Sequence, residues 1–403
     1  MMLNDVPANA SGWISANPGN LPILLILAMT LVAYLTLGAS NALEPTRRRQ
    51  GVLAALTILL FGLLDWAMLA ALPRLGLSYG PLGSSLTFFT LGRIIILLLV
   101  LTSAYLWKGL QNRREPVREF PARYNAELFV LWALNLGLFA CIFYAMFIEP
   151  FDLQTTRLHL AGPSSKIDRP LRILHLTDLH VERTTRREIE LVQQVNALQP
   201  DLILLTGDYP NLDYRRQTRT RQDTKAVIDQ LSAPYGVFAV SGSVDTPEIL
   251  SYLFDGNQAR LLRDEIYRLP VGNGEIYLVG VANLGLDRDL ATLSRLMEQV
   301  PEGAYTILLY HTPDLAREAA SLGVDLYLAG HTHGGQVRLP FFGAVFTSSI
   351  YGKEYESGLY ALGQTTLYVS RGLGMEGLHL PRLRFLCSPE IVLIELSPEV
   401  PSD

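Results

Sequence analysis

Four long apolar stretches, residues 21–39, 52–72, 84–107 and 126–148, open this 403-residue chain in close succession. Each approaches the roughly 20 residues that a helix needs to cross the hydrocarbon of a bilayer. Four buried helices of that length in a row, joined by short basic loops, would be very unusual in a soluble fold, so the pattern predicts a four-helix transmembrane region over 1–150. Residues 1–20 carry Asp5 and no basic side chain, which suits a cleavable signal peptide poorly. The first link holds Arg47, Arg48 and Arg49, and the third holds Lys108, Arg113, Arg114, Arg118 and Arg123, whereas the second offers only Arg74. The positive-inside bias puts the two basic links in the cytoplasm, so everything after Pro150 is expected outside it, on a multi-pass protein of the cell membrane.

Two charges interrupt the apolar stretches, Asp65 in the second and Arg93 in the third. At about 1.5 Å rise per residue, both lie about 12–14 Å below the same surface, so they are placed to pair across the hairpin. A structural pair is favoured over a transport role, because four short helices offer no other polar pathway.

The two parts of the chain differ in charge. Residues 1–150 carry a net +3 and 151–403 a net −8, together the −5 of the whole. All seven histidines follow residue 150, so chemistry that needs imidazole belongs to the second part. A hydrophobic content of 49% with 18% charged residues excludes disorder and a nucleic-acid-binding tail. The two cysteines, Cys141 and Cys387, exclude a disulfide framework and a cysteine-based zinc site.

After an expected linker at 151–170, the apolar run 171–177 ends in Asp178-Leu179-His180. A helix-like stretch, 185–198, leads to the run 202–206 and Gly207-Asp208. The run 305–310 ends in His311, and 324–329 ends in Gly330-His331-Thr332-His333-Gly334-Gly335-Gln336. Functional side chains gather at the carboxyl ends of strands in α/β sheets, and residues two apart at a strand end point the same way. Four strand ends thus deliver two Asp and four His, a mixed set that suits Mn, Fe or Zn better than Ca or Mg alone. Six donors are enough for two divalent ions sharing a bridging carboxylate. His159, His175 and His379 lie outside this pattern and are expected to be structural.

These motifs, with Gly242-Ser243-Val244-Asp245 in an altered form, resemble those of the calcineurin-like metallophosphoesterases over about 172–395. The extended Gly-His-Thr-His-Gly-Gly-Gln run, with Ser370-Arg371-Gly372-Leu373-Gly374 and Pro389-Glu390, is similar to the branch whose members are membrane-anchored or exported. The resemblance implies a domain at 171–398 of two packed β-sheets flanked by helices. The runs 366–369 and 391–396 are expected as closing strands of its second sheet.

Carried over by position, it also implies that Asp178, His180 and His333 hold a first metal ion, that Asp208 bridges, and that His311, His331 and Ser243 serve the second. Asp178, Asp208 and His333 are the implied catalytic residues. The implied reaction is hydrolysis of a phosphomonoester, diester or pyrophosphate, on a small or lipid-linked substrate, by a metal-bridging hydroxide attacking phosphorus in line.

One motif departs from the family, which has Gly-Asn-His-Asp where this chain has Gly242-Ser243-Val244-Asp245. A serine hydroxyl is a weaker ligand than an amide carbonyl, and Val244 has no proton for a leaving group. Loss of a general acid removes about 10²–10⁴ in rate, which leaves a slower enzyme. The alternative is a catalytically impaired membrane sensor or binding protein. Arg371 is a candidate either for a substrate phosphate or for a structural ion pair. The cluster Arg215, Arg216, Arg219 and Arg221 lies in an expected polar insertion after Asp208, suited to an anionic group or to solvent.

Overall fold

A computed structural model describes residues 30–31, 45–111, 121–163, 166–377 and 381–398. The chain divides into two compact units, the first covering Met1–Tyr144 and His379–Arg382 and the second covering Ala145–Leu378 and Leu383–Asp403.

In the first unit, α1 (Pro45–Arg74), α2 (Leu82–Gln111) and α3 (Pro121–Phe143) occupy three of the four expected stretches. The stretch at 21–39 lies outside the described residues apart from Thr30 and Leu31. Three segments among the described residues, Gly51–Arg74, Leu82–Ser103 and Ala126–Phe151, are long and apolar enough to cross a membrane. Their outer faces are apolar too: Leu56, Leu60, Leu63, Leu98, Leu99 and Phe129 are exposed. A helix that is apolar on its outer as well as its inner face suits hydrocarbon better than water.

Ala54, Ile58, Leu97, Val100 and Leu131 form the inner contact between the three helices. There Arg93 grips Asp65 with two parallel bonds, Nε to Oδ2 at 2.7 Å and Nη2 to Oδ1 at 2.6 Å. Its Nη1 donates to Asn135 Oδ1 at 2.9 Å, and Asn135 Nδ2 donates to the Leu131 carbonyl. All three side chains are buried, and the fork of the guanidinium satisfies both carboxylate oxygens.

The third apolar helix runs on through a π-helical turn, Tyr144–Ile148, and a 3-10 turn, Glu149–Phe151, where Pro150 cannot donate to a continuing helix. The segment 151–170, expected as a linker, instead contains strand β1 (Gln154–Gly162). Its polar, alternating sequence hides a strand whose backbone pairs in parallel with the last strand of the fold.

The second unit then builds β2 (Leu171–Leu176), α4 (Arg186–Leu198), β3 (Leu202–Leu205), α5 (Thr218–Ile228), β4 (Val237–Ala239), α6 (Pro247–Phe254) and β5 (Ala259–Leu261). Helix α4 starts where Thr185 and Glu188 form a reciprocal capping box. There follow β6 (Glu265–Val271), β7 (Gly274–Gly280), α7 (Leu286–Met297), β8 (Tyr305–Leu309) and β9 (Leu326–Ala329). A small hairpin, β10 (Arg338–Leu339) with β11 (Gly343–Ala344), precedes β12 (Gly358–Leu362), β13 (Thr365–Val369) and β14 (Glu390–Pro398).

Two six-stranded sheets result, in the orders β1-β14-β2-β3-β4-β5 and β12-β13-β9-β8-β7-β6. Their facing sides share one core, with Ile173, Leu204 and Ile394 from the first sheet and Leu278, Ile307 and Leu328 from the second. Helices α4 and α6 cover the outer face of the first sheet, and α7 that of the second. This is the α/β arrangement of two packed sheets flanked by helices. The run 391–396 was expected in the second sheet, whereas β14 lies in the first, antiparallel to β2. Its first five residues, Glu390 to Ile394, could not be read to a sheet from sequence because a strand buried on both faces shows no alternation.

Candidate metal centre

Strands β2, β3, β8 and β9 end on the same side of the two sheets, and the backbone beyond them is knitted across strands. The Asp178 amide donates to the Gly207 carbonyl, that of His180 to Asp208, and that of Gly330 to His311. Leaving the strands so abruptly requires the left-handed region, and Asp178, His180, Asp208, His331 and His333 all have φ between 40° and 69°. Such non-glycine residues are uncommon, and their concentration at five donor positions marks a site held against local strain. Gly242 is required for close approach, since a Cβ there would collide with the Asp208 carboxylate and amide.

The expected donors converge in two groups, buried except for the half-buried His331. Asp178, His180 and His333 place one ligand atom each within 4.8 Å of one another, and so do Asp208, His311 and His331. In the first group the Nε2 atoms of His180 and His333 are 3.1 Å apart, and His333 Nε2 lies 3.5 Å from Asp178 Oδ1. In the second, His311 Nε2 is 3.1 Å from His331 Nδ1. Asp208 Oδ2 lies between the groups, 3.5 Å from His180 Nε2 and 3.2 Å from His311 Nε2.

The buried charges here depend strongly on one another. Burial works against ionisation of Asp208, but His311 and His180, with the Val244 amide, outweigh it and hold its carboxyl well below the usual range. Burial likewise opposes charging His311, yet the Asp208 carboxylate pushes it up to about 10. Burial and the neighbouring His180 keep His333 neutral, and burial with His311 lowers His331. His311 Nδ1 donates to the Thr206 carbonyl at 2.7 Å, which leaves Nε2 as the atom aimed at the site. Imidazole and carboxylate donors packed this closely fit divalent transition-metal ions. One detail is incomplete: the Nδ1 atoms of His180 and His333 are buried with no hydrogen bond, although Glu376 Oε2 lies 3.5 Å from His180 Nδ1.

The altered motif organises this centre from beneath. Asp245 accepts from the amides of Asp208, Tyr209 and Gly242, and burial plus the Asp208 charge raises its carboxyl to about 6. Ser243 is exposed, with Oγ 3.0 Å from Asp208 Oδ2. Val244 is buried and its amide donates to Asp208 Oδ1 at 2.9 Å. Arg215 Nη1 donates to the Val244 carbonyl at 2.7 Å, which brings one guanidinium beside Val244. Arg219 and Arg221 lie on α5 and not in a loop, and pair with Asp223 and Glu248.

Arg371 pairs with Glu390, Nη2 to Oε1 at 3.1 Å. His159 is exposed beside Glu395, His175 is buried against Thr206, and His379 lies outside the described residues. Sequence reasoning overlooked Arg384. It is buried and donates to the carbonyls of Arg371, Gly372, Gly374 and Cys387, fixing the loop behind Asp178. Nothing in its local sequence distinguishes it from the nearby Arg382.

Comparison with known proteins places the chain. The family profile "Calcineurin-like phosphoesterase" matches residues 171–335. The metallophosphoesterase YkuE of Bacillus subtilis (strain 168) is 34% identical over 265 residues, 63% of this chain and 88% of YkuE. The phosphodiesterase YaeI of Escherichia coli (strain K12) is 31% identical over 271 residues, 63% of this chain and 92% of its own. The UDP-2,3-diacylglucosamine pyrophosphatase LpxG of Chlamydia trachomatis serovar D is 27% identical, over 62% of this chain and 91% of its own. With the strand-end donors arrayed as described and a relative matched over nearly its whole length, the chain belongs to the calcineurin-like phosphoesterase family.

Proposed function

We propose that the chain is a membrane-anchored phosphoesterase of the GHTHGGQ-bearing branch, dependent on two divalent metal ions. The domain at 171–398 would act outside the cytoplasm on a phosphomonoester, diester or pyrophosphate, with lipid-linked substrates favoured. The observation that carries this reading is the pair of donor groups joined at Asp208 Oδ2. The activities named for YaeI and LpxG support the diester and pyrophosphate classes. The three apolar helices support the anchor.

In this reading Asp178, His180 and His333 would hold one ion and Asp208, His311 and His331 the other, with Asp208 and Ser243 as the further donors the two would draw on. Bound there, the ions would supply Lewis-acid stabilisation of phosphate oxygens and lower the pKa of water at neutral pH. The chain's own part is positioning. The Thr206 carbonyl fixes the tautomer of His311, Asp245 holds the Asp208 turn, and Arg384 holds the loop behind Asp178. Arg215 offers a cation beside Val244, where a second phosphate of a pyrophosphate could be met. Val244 donates no proton, so esters with good leaving groups are favoured.

The test uses the full chain in detergent with Mn or Zn, assayed on p-nitrophenyl phosphate and on its bis ester. Metal-dependent turnover that Asp208→Ala removes is expected. Absence of metal-dependent turnover on either ester would leave the impaired binding protein, which Val244 favours, as the better reading.

A further inference from the structure

Immediately after the donor run Gly330–Gln336, the second unit exposes a concentrated apolar surface. The β10–β11 hairpin and the loop after it present Leu339, Phe341, Phe342, Val345, Phe346 and Ile350 to the outside. Elsewhere in the unit, among the described residues, large exposed apolar side chains such as Ile189, Tyr252 and Leu284 stand apart in sequence. Phe341, at the tip, is fully exposed and has φ 65°, a strained conformation for a residue with a side chain.

The stem beneath this tip is firmly built. Glu356 accepts from Arg338 Nη2 at 2.6 Å and from the Ala344 amide at 3.1 Å. The Val345 amide donates to the Val337 carbonyl, and Ser348 Oγ donates to the carbonyl of His331. Lys353 lies over the Phe342 ring, its Nζ 3.6 Å from the centroid. Three phenylalanines, Phe341, Phe342 and Phe346, are thus exposed on a hydrogen-bonded stem. Large exposed apolar patches mark interaction surfaces.

What covers it is indicated by the chain behind it. The end of the third apolar helix, from Ala145 to Phe151, belongs to this same unit. Its Ala145 carbonyl accepts from the Arg384 amide, and its buried Glu149 accepts from the amides of Leu386 and Cys387. The intervening Phe385 pairs with Val337 at the hairpin's root, its carbonyl accepting from the Arg338 amide at 2.9 Å and its amide donating to Gln336 at 2.8 Å. One strand-like segment therefore ties the helix exit to the apolar hairpin.

The geometry points to a second membrane contact: the tip of the 338–350 hairpin and loop dips into the interfacial layer of the bilayer that the apolar helices cross. This rests on the membrane-anchored reading above. The aromatic rings would replace water with the acyl-chain boundary, and Lys353 would keep its ammonium among lipid phosphates. Because Ser348 touches the carbonyl of His331, the same contact would hold the mouth of the metal centre beside lipid head groups. A phosphate carried on a lipid would then be reached without leaving the membrane.

The experiment uses the full chain with Cys141→Ser, leaving Cys387 buried, and Phe341→Cys labelled with an NBD fluorophore in phosphatidylcholine–phosphatidylglycerol vesicles. A control carries the label at Glu302→Cys, in the exposed turn before β8. Doxyl-labelled lipid is expected to quench the probe at 341 by about twofold or more and to spare the probe at 302. A water-exposed, unquenched probe at 341 overturns the proposal. So does a shielded but unquenched one, which would mean a protein partner or a second copy. Alkaline carbonate extraction of the same vesicles separates the two readings: a chain that stays with the lipid while its probe is unquenched defeats the hairpin contact alone, and a chain that is extracted defeats the anchor as well.

Discussion

The Nε2 atoms of His180 and His333 face each other at 3.1 Å across 153 positions of sequence, their rings stacked with centroids 4.9 Å apart. Two ring nitrogens this close gain little from the approach unless a proton or a cation lies between them. Burial and the neighbouring His180 lower the pKa of His333, which leaves its ring nitrogen free to accept, and with the Asp178 carboxylate beside it the pair forms a donor group suited to a cation.

Removing one donor from each group should therefore have separable effects. His333→Ala is expected to reduce metal content, measured by elemental analysis of the purified chain, from about two ions toward one. Asp208→Ala should reduce both, because its Oδ2 sits between the groups. Turnover of bis(p-nitrophenyl) phosphate should fall at least about 100-fold in each, given several kcal/mol of Lewis-acid stabilisation at stake. Full occupancy in Asp208→Ala would refute its shared role.

The buried pair in the first unit makes a second prediction. Asp65→Asn or Arg93→Met leaves one partner of a fully buried ion pair unmatched, a change worth about 3–5 kcal/mol in comparable buried pairs. The double variant Asp65→Leu with Arg93→Met removes both charges and should recover most of the loss. Thermal unfolding of the detergent-solubilised chain distinguishes these outcomes; equal damage from the single and double variants would speak for a role beyond mutual neutralisation.

The site was legible in the sequence because its donors sit directly beyond apolar runs, where chain direction and side-chain direction are both constrained. The Asp65–Arg93 pair was legible for a similar reason, since helical rise alone fixes depth. What the sequence concealed depended on partners distant in the chain. Strand β1 was hidden because Gln154-Thr155-Thr156-Arg157 looks like a polar connection until β14 supplies a backbone edge. Arg384 was hidden because its partners are carbonyls, which no side-chain pattern announces. The phenylalanine hairpin was hidden because an apolar run reads as core until its exposure is seen.

His175 should govern part of the acid sensitivity of the fold. It is wholly buried with Nε2 2.8 Å from Thr206 Oγ1, and burial alone lowers its pKa to about 3 from an ordinary 6.5. Above pH 6.5 it is neutral in folded and unfolded chains alike, and its contribution is intact. As pH falls from 6.5 toward 3, the unfolded chain takes up the proton and the folded chain does not, so stability declines by several kcal/mol at about 1.4 kcal/mol per unit. His175→Leu should lose about 1 kcal/mol at about pH 8 through the Thr206 hydrogen bond, yet decline less steeply on acidification. Melting temperature followed against pH checks this, and parallel curves for the two proteins would count against it.

The altered motif yields the sharpest kinetic expectation. Val244, which the motif resemblance sets against the family histidine, is a buried aliphatic side chain with its amide committed to Asp208 and its carbonyl to Arg215. No proton reaches a leaving group from there, so turnover should depend steeply on the leaving group's own acidity. Val244→His is expected to raise turnover of an alkyl or phenyl phosphate by about tenfold or more, the lower part of what a general acid contributes, and to change p-nitrophenyl phosphate little. Ser243→Asn acts on a different quantity: an amide carbonyl in place of the hydroxyl 3.0 Å from Asp208 Oδ2 should tighten metal retention during dialysis without altering leaving-group dependence. If Val244→His changed both esters equally, the substitution would be acting on metal binding or packing, and the missing proton would not be what limits this enzyme.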